Sequence, residues 1–242
     1  GMMECKKALT ATNGDIEAAI EELRKKGLAK AASKADREAF EGGIKIVTEG
    51  TKAYVVSVSC ETDFLANSDR YKDMLNSVVE LLKSGKTAED AKAMIDSDYA
   101  LEMWENLQVK DFVVYEWVNV WAYVHSNNKV AALVLSKVAC DDEKLKQVAM
   151  HITAANPEFL AASDISSEVI EKEKSIQLEM MKNDPKMAGK PDEVLLKIIE
   201  GKMSKFASEV SLLEQAFVIN PDQKVKDFIW NDSIKAFYRF TI

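Results

Sequence analysis

What this 242-residue chain lacks narrows its function before any motif is read. Basic residues are in deficit, with 32 Lys and Arg against 40 Asp and Glu and a formal charge of −8. A protein whose main work is neutralising phosphates needs the opposite balance, so direct nucleic-acid binding is not expected. Cysteines are few: Cys5, Cys60 and Cys140 are odd in number, widely spaced and never at zinc-ligand spacing. A reduced cytosolic chain is the simplest reading. No apolar run reaches the length of a membrane span and no signal-peptide pattern appears, so a cytoplasmic protein without membrane contact is expected.

The parts of a catalytic site are missing too. "EGG" at Glu41–Gly43 has neither the lysine nor the spacing of a phosphate loop. His125 falls in a polar turn and His151 on an amphipathic helix, neither with an evident serine or cysteine partner. Asp141-Asp142 and Glu21-Glu22 read as helix-start or surface charges rather than metal ligands, and the methionines as packing residues. No cofactor and no metal is expected, and an enzyme is the weaker class.

What is present is enough chain for a sizeable core and one or two domains. "GMMECKKAL" already has helical spacing with no capping residue before it, so a further helix is expected upstream. Asn13-Gly14 stops this helix and Asp15 caps the next, whose apolar stripe is Ile16, Ala19, Ile20 and Leu23, with Gly27 expected to end it. Two strands follow, Ile44–Val47 and Ala53–Ser59, around a turn at Glu49-Gly50. "YKDMLNSVVELLKSG" and "AEDAKAMI" read as helices, and the chain from Asp111 to Val138 as strands with a hairpin turn at Ser126–Asn128. "DEKLKQVAMHITAA" is helical up to Asn156-Pro157. From Ile165 to Val210 two charged helices flank the linker "DPKMAGK". Leu196, Ile199, Met203 and Phe206 on one, and Val169, Ile176 and Met180 on the other, predict an antiparallel hairpin with a coiled-coil seam. Short strands around a helix close the chain.

One stretch stands apart. "SCETDFLANS" (Ser59–Ser68) leaves a strand and places Asp63 beside Phe64 among polar residues. Phe64 is either a core residue turning inward or an anchor held out for a partner.

"GMMECKKAL", "NGDIEAAIEELRKKG", "CETDFLAN", "AMHITAANPEFL" and "EGKMSKFASEVSLLEQAFV" occur in this order across nearly the whole chain. Together they resemble the bacterial elongation factor Ts family. The resemblance implies an α+β fold with antiparallel sheets. It divides the chain into a partial, ubiquitin-associated-like helical module (1–37), a core N-subdomain (38–122), a core C-subdomain (123–164 and 211–242) and an inserted coiled-coil hairpin (165–210). It departs after "FYRFTI", where the family often continues into a further helical module.

The activity implied is guanine-nucleotide exchange on elongation factor Tu, bound in its GDP and nucleotide-free forms, with no catalytic side chain. In the family the aromatic of the "TDF" motif enters beside the GTPase's Mg²⁺ site. This assigns the wedge to Phe64, with Asp63 adding a polar contact and Leu65 and Ala66 completing the inserted edge. The resemblance also implies contacts by Met2, Met3, Cys5 and Lys6, by Lys34, by Val130 and Ala131 (Ala131 standing where the family often has Gly), and by Val218 and Ile219. His151 is either a contact or a packed helix residue. The alternative is a non-catalytic scaffold binding partners through its helices, and a homodimer through the coiled coil or core is an open possibility.

Overall fold

A computed structural model describes residues 2–139, 141–187, 190–229 and 233–242, apart from the side chains at 186 and 192. Cys140 and two residues of the "DPKMAGK" linker lie outside the described residues. The fold is α+β with antiparallel sheets, and it divides into two compact units, 1–133 with 239–242, and 134–238.

In the first unit, helix α1 (Met2–Ala11) ends where Asn13 and Gly14 adopt left-handed φ of 53° and 84°. The Gly14 N–H closes the end by donating to Leu9 O at 2.8 Å. Asp15 then caps α2 (Ile16–Ala32), accepting from the Ala18 N–H at 3.0 Å. Gly27 does not end α2. It is buried where the helix crosses a π-helical turn at Ile95–Tyr99, and a Cβ there would stand 2.7 Å from Asp96 O. The glycine is needed for close approach rather than for termination. The expected stripe is likewise only half used, since Ala19 is buried while Ile16 and Ile20 are exposed.

The strands β1 (Glu41–Glu49) and β2 (Lys52–Cys60) pair antiparallel around the expected turn, and β2 also pairs with β3 (Gln108–Glu116). β2 is the central strand and is buried along nearly its whole length. Its Val56, Val58 and Cys60 pack on helix α4 (Asp69–Lys83) through Tyr71, Met74, Val78 and Leu82. Alternation at a period of two meets a helical stripe at three and four, which is how sheet and helix seal one core. The Tyr71 hydroxyl ties three elements, donating to Val58 O and accepting from the Gly43 N–H at 2.9 Å. The short helix α3 (Asp63–Ala66) lies between β2 and α4, and α5 (Ala88–Met94), the π-turn and α6 (Ala100–Met103) lead into β3. β4 (Asn119–Val124), β5 (Val130–Ser136) and β8 (Ile234–Thr241) form a sheet in the order β4-β5-β8, and the division between units falls inside β5 and β8.

The second unit holds α7 (Asp142–Ala155), capped by Asp141 and ended by a left-handed Asn156. It also holds the hairpin of α8 (Ser167–Lys182) and α9 (Asp192–Val210), the ribbon β6 (Ala216–Phe217) and β7 (Asn220–Lys224), and α10 (Val225–Phe228). The hairpin leaves and re-enters at one place. The Glu158 and Phe159 N–H groups both donate to Val210 O (2.9 and 3.0 Å), and the Leu212 N–H donates to Phe159 O at 2.8 Å. Its seam differs from the expected one. Ile199 and Met181 are buried, but Ile176, Met180 and Leu196 are exposed, and Lys202 Nζ donates to Gln177 Oε1 at 2.9 Å across the pair. On α8 the inward row runs through Val169, Glu173, Gln177 and Met181, the four-residue ridge, so a polar bridge occupies the place expected for Ile176.

Candidate partner-binding site

The question posed by Phe64 is answered by burial. Phe64 is 87% exposed, whereas its neighbour Leu65 is 9% exposed and packs into the core of the first unit. Successive residues of a helical turn point about 100° apart, so seating Leu65 necessarily turns Phe64 away from the core. The turn is closed at both ends. Thr62 Oγ1 accepts from the Leu65 N–H at 3.2 Å, and Asn67 donates to Asp63 O through both its backbone N–H (3.0 Å) and its side-chain amide (2.8 Å). Ser68 then caps α4, accepting from the Tyr71 N–H at 3.2 Å. Two caps within seven residues explain why so short a helix holds one orientation. Asp63 is exposed beside Phe64, and Ala66 is half-buried.

The other expected contact residues fall into two groups. Met2, Met3, Cys5 and Lys6 are exposed on α1, and Val218 and Ile219 are each about half exposed at the tip of the β6–β7 ribbon. Val130 is half-buried at the start of β5. Lys34, Ala131 and His151, by contrast, are buried. Among the described residues the Lys34 ammonium finds no hydrogen-bond partner, and it lies 5.3 Å from the Trp104 ring centre. Burial pushes its pKa down, with the positive charges of Arg37 and Lys30 adding to the effect and Glu61 and Glu105 opposing it.

His151 and Val218, far apart in sequence, are brought together. The Val218 N–H donates to His151 Nδ1 at 3.1 Å, so the proton of the neutral ring sits on Nε2 and is donated to Gln215 Oε1 at 2.8 Å. Gln215 in turn donates through its Nε2 to Glu209 O at 2.7 Å. The ring lies 5.8 Å from that of Phe217, which stacks on Phe228 at 4.4 Å. Burial lowers the His151 pKa, with the Gln215 hydrogen bond working against it. This histidine is built to stay neutral and to hold the ribbon that presents Val218 and Ile219.

Sequence reasoning passed over Glu105, Asn106 and Gln215. Glu105 grips the backbone ahead of α3, the Asn106 N–H donates to the Glu61 carboxylate, and Gln215 orients His151. Each acts across 43 or more residues of separation, and no local pattern marks such a pairing. Among the described residues no group of three or more His, Cys, Asp or Glu could hold a metal ion, and no helix is long and apolar enough to cross a membrane.

An aromatic held out on a capped turn, and exposed apolar residues on α1 and at the ribbon tip, are features suited to docking on another macromolecule rather than to binding a small substrate. The family model described as Elongation factor TS matches residues 61–242. An elongation factor Ts of Spiroplasma citri is 40% identical over 250 aligned positions, covering 98% of this chain and 84% of its own length. One from Pseudomonas putida strain F1 is 43% identical over 230 positions, covering 93% of this chain and 79% of its own. One from Klebsiella pneumoniae subsp. pneumoniae is 39% identical over 249, covering 100% and 86%. The chain belongs to the elongation factor Ts family. Membership implies a nucleotide exchange factor that binds elongation factor Tu.

Proposed function

We propose that this protein binds elongation factor Tu in its GDP form, inserts Asp63 and Phe64 beside the Mg²⁺ site, and so promotes GDP release and GTP entry. The observation that carries the proposal is the opposed pair on α3, Leu65 buried and Phe64 87% exposed. Nucleotide, Mg²⁺ and phosphate loop of a GTPase hold one another in place. A partner that binds the nucleotide-free form more tightly must, by linkage, weaken nucleotide binding by the same factor. Burying a phenylalanine in the complex supplies about 1.5–3 kcal/mol, a substantial part of a coupling energy of that kind. No acid, base or nucleophile is required.

The exposed residues Met2, Met3, Cys5 and Lys6 and the half-buried Val130 supply further contacts from the first unit, and Val218 and Ile219 supply theirs from the second. Lys34, Ala131 and His151 act from beneath, supporting surface elements rather than touching the partner with their side chains. The test is release of fluorescent GDP from elongation factor Tu. Substoichiometric amounts of this protein should accelerate release over many turnovers. The scaffold reading has one observation in its favour, the exposed Ile176, Met180 and Leu196 on the hairpin. Stable binding to folded elongation factor Tu without accelerated release would establish that reading and reject exchange.

A further inference from the structure

We infer that Glu105 is a positioning residue for exchange: its carboxylate, together with Asn106, clamps the segment ahead of α3 and thereby aims Phe64. This rests on the reading of Phe64 as the inserted group. A four-residue helix has no stability of its own, so the direction of Phe64 is set by whatever holds the two ends of the turn. Leu65 anchors one side in the core. Glu105 holds the other: its Oε2 accepts from the Glu61 N–H at 2.8 Å and from the Thr62 N–H at 2.9 Å, and its Oε1 accepts from the Thr62 hydroxyl.

The third bond matters most. With the Thr62 hydroxyl proton committed to the carboxylate, the lone pairs of Oγ1 face the Leu65 N–H at 3.2 Å, and the cap is locked in its accepting sense. The grip is reciprocal, because the Glu61 carboxylate accepts from the Asn106 N–H at 2.7 Å and lies 3.4 Å from Arg37 Nη1. Asn106 also donates through its side chain to Ala35 O (3.2 Å) and Arg37 O (2.6 Å). The clamp is itself held from the side. Trp104, in a left-handed conformation at φ 58°, ends α6 and turns the chain to deliver Glu105, with Lys30 Nζ 3.5 Å from its ring centre. Hydrogen bonds to a carboxylate are roughly twice as strong as neutral ones, which suits a device that must resist the load on Phe64 as it enters a partner.

A double-mutant cycle on the full chain separates positioning from general structural support. The rate of fluorescent GDP release from elongation factor Tu is measured against factor concentration for wild type, Glu105→Ala, Phe64→Ala and the double variant. Glu105→Ala is expected to lower the maximal release rate by about tenfold while the half-saturating concentration changes less. In the Phe64→Ala background the same change should reduce the rate by less than about twofold, because the group it aims is gone. Glu105→Gln keeps one acceptor oxygen and should retain an intermediate rate; it replaces Glu105→Ala in the cycle if near-ultraviolet circular dichroism shows that the alanine variant has lost its native packing. Equal losses in both backgrounds, or no loss from either Glu105 variant, would overturn the inference while leaving the Phe64 wedge intact. A Phe64→Ala single variant with wild-type exchange would overturn both.

Discussion

Replacing Phe64 by alanine separates the two roles an aromatic can have, because the two readings predict opposite patterns of stability and activity. Only 13% of the residue is covered in the folded chain, the complement of its 87% exposure. At about 1.5–3 kcal/mol for complete burial, the folded protein loses only about 0.2–0.4 kcal/mol, and its melting temperature should move by roughly 1 °C. In the complex the same ring is the inserted group, and an interface hot spot of this kind costs about 2 kcal/mol or more on truncation, roughly a 30-fold loss. Leu65→Ala, one residue along, is the internal control: its side chain is in the core, and removing it should destabilise the protein itself by about 2–5 kcal/mol. The assay pairs thermal melting with GDP release from elongation factor Tu on the same samples. A fall of many degrees for Phe64→Ala, with exchange per folded molecule unchanged, would show that the ring packs internally and would refute the reasoning.

Asp63→Ala should slow exchange less than Phe64→Ala, since water can replace part of an exposed polar contact; an equal or larger loss would make the carboxylate the principal element. Replacing residues 168–207 with a short Gly/Ser linker should leave the remainder folded and some exchange activity intact, because the hairpin's two ends are already joined through Val210 O. Loss of cooperative unfolding in that variant would show that the hairpin carries part of the core. His151 has a folded pKa below its ordinary 6.5, so the stability it contributes is fully present above about pH 6.5 and is lost as pH falls from there through the lower folded value. The denaturation midpoint should therefore drop between pH 7.5 and 5.5, and His151→Gln should flatten that slope; matching slopes would exclude His151 as its source. Burial, with the charge of Glu105 adding, pushes the Cys60 thiol up to about 12, whereas Cys5 is exposed. Peptide mapping after alkylation at pH 8 should find Cys5 modified and Cys60 protected until the chain is unfolded, and rapid labelling of Cys60 in the native protein would contradict its burial.

Local signals in the sequence suffice where one short stretch contains the whole cause. Asn13-Gly14 and Asn156-Pro157 end helices because left-handed backbone is tolerated there. Glu49-Gly50 turns β1 into β2, and of the apolar spacing Met74, Val78, Leu81 and Leu82 all but the half-buried Leu81 lie on the buried face of α4. The same local logic makes Gly27 a terminator, whereas it is a point of close approach to the backbone at Asp96 and Ser97. It also chose Ile176 and Met180 for the inner face of α8, where Gln177 meets Lys202 instead. In both cases the deciding atom belongs to another element.

The candidate site shows the same division. The sequence by itself determined that β2 runs into a polar turn carrying Asp63 and Phe64 and that the motifs along the chain are those of one family, because alternation and order of motifs are properties of the chain as a string. Only the tertiary structure decided that Phe64 points outward, that Lys34, Ala131 and His151 are buried, and that Glu105 closes on the backbone of Glu61 and Thr62. Exposure and hydrogen-bond partnership depend on which distant segment arrives at a given surface. A side chain's neighbours across 40 or more residues are set by the packing of the whole unit, which no window of sequence contains.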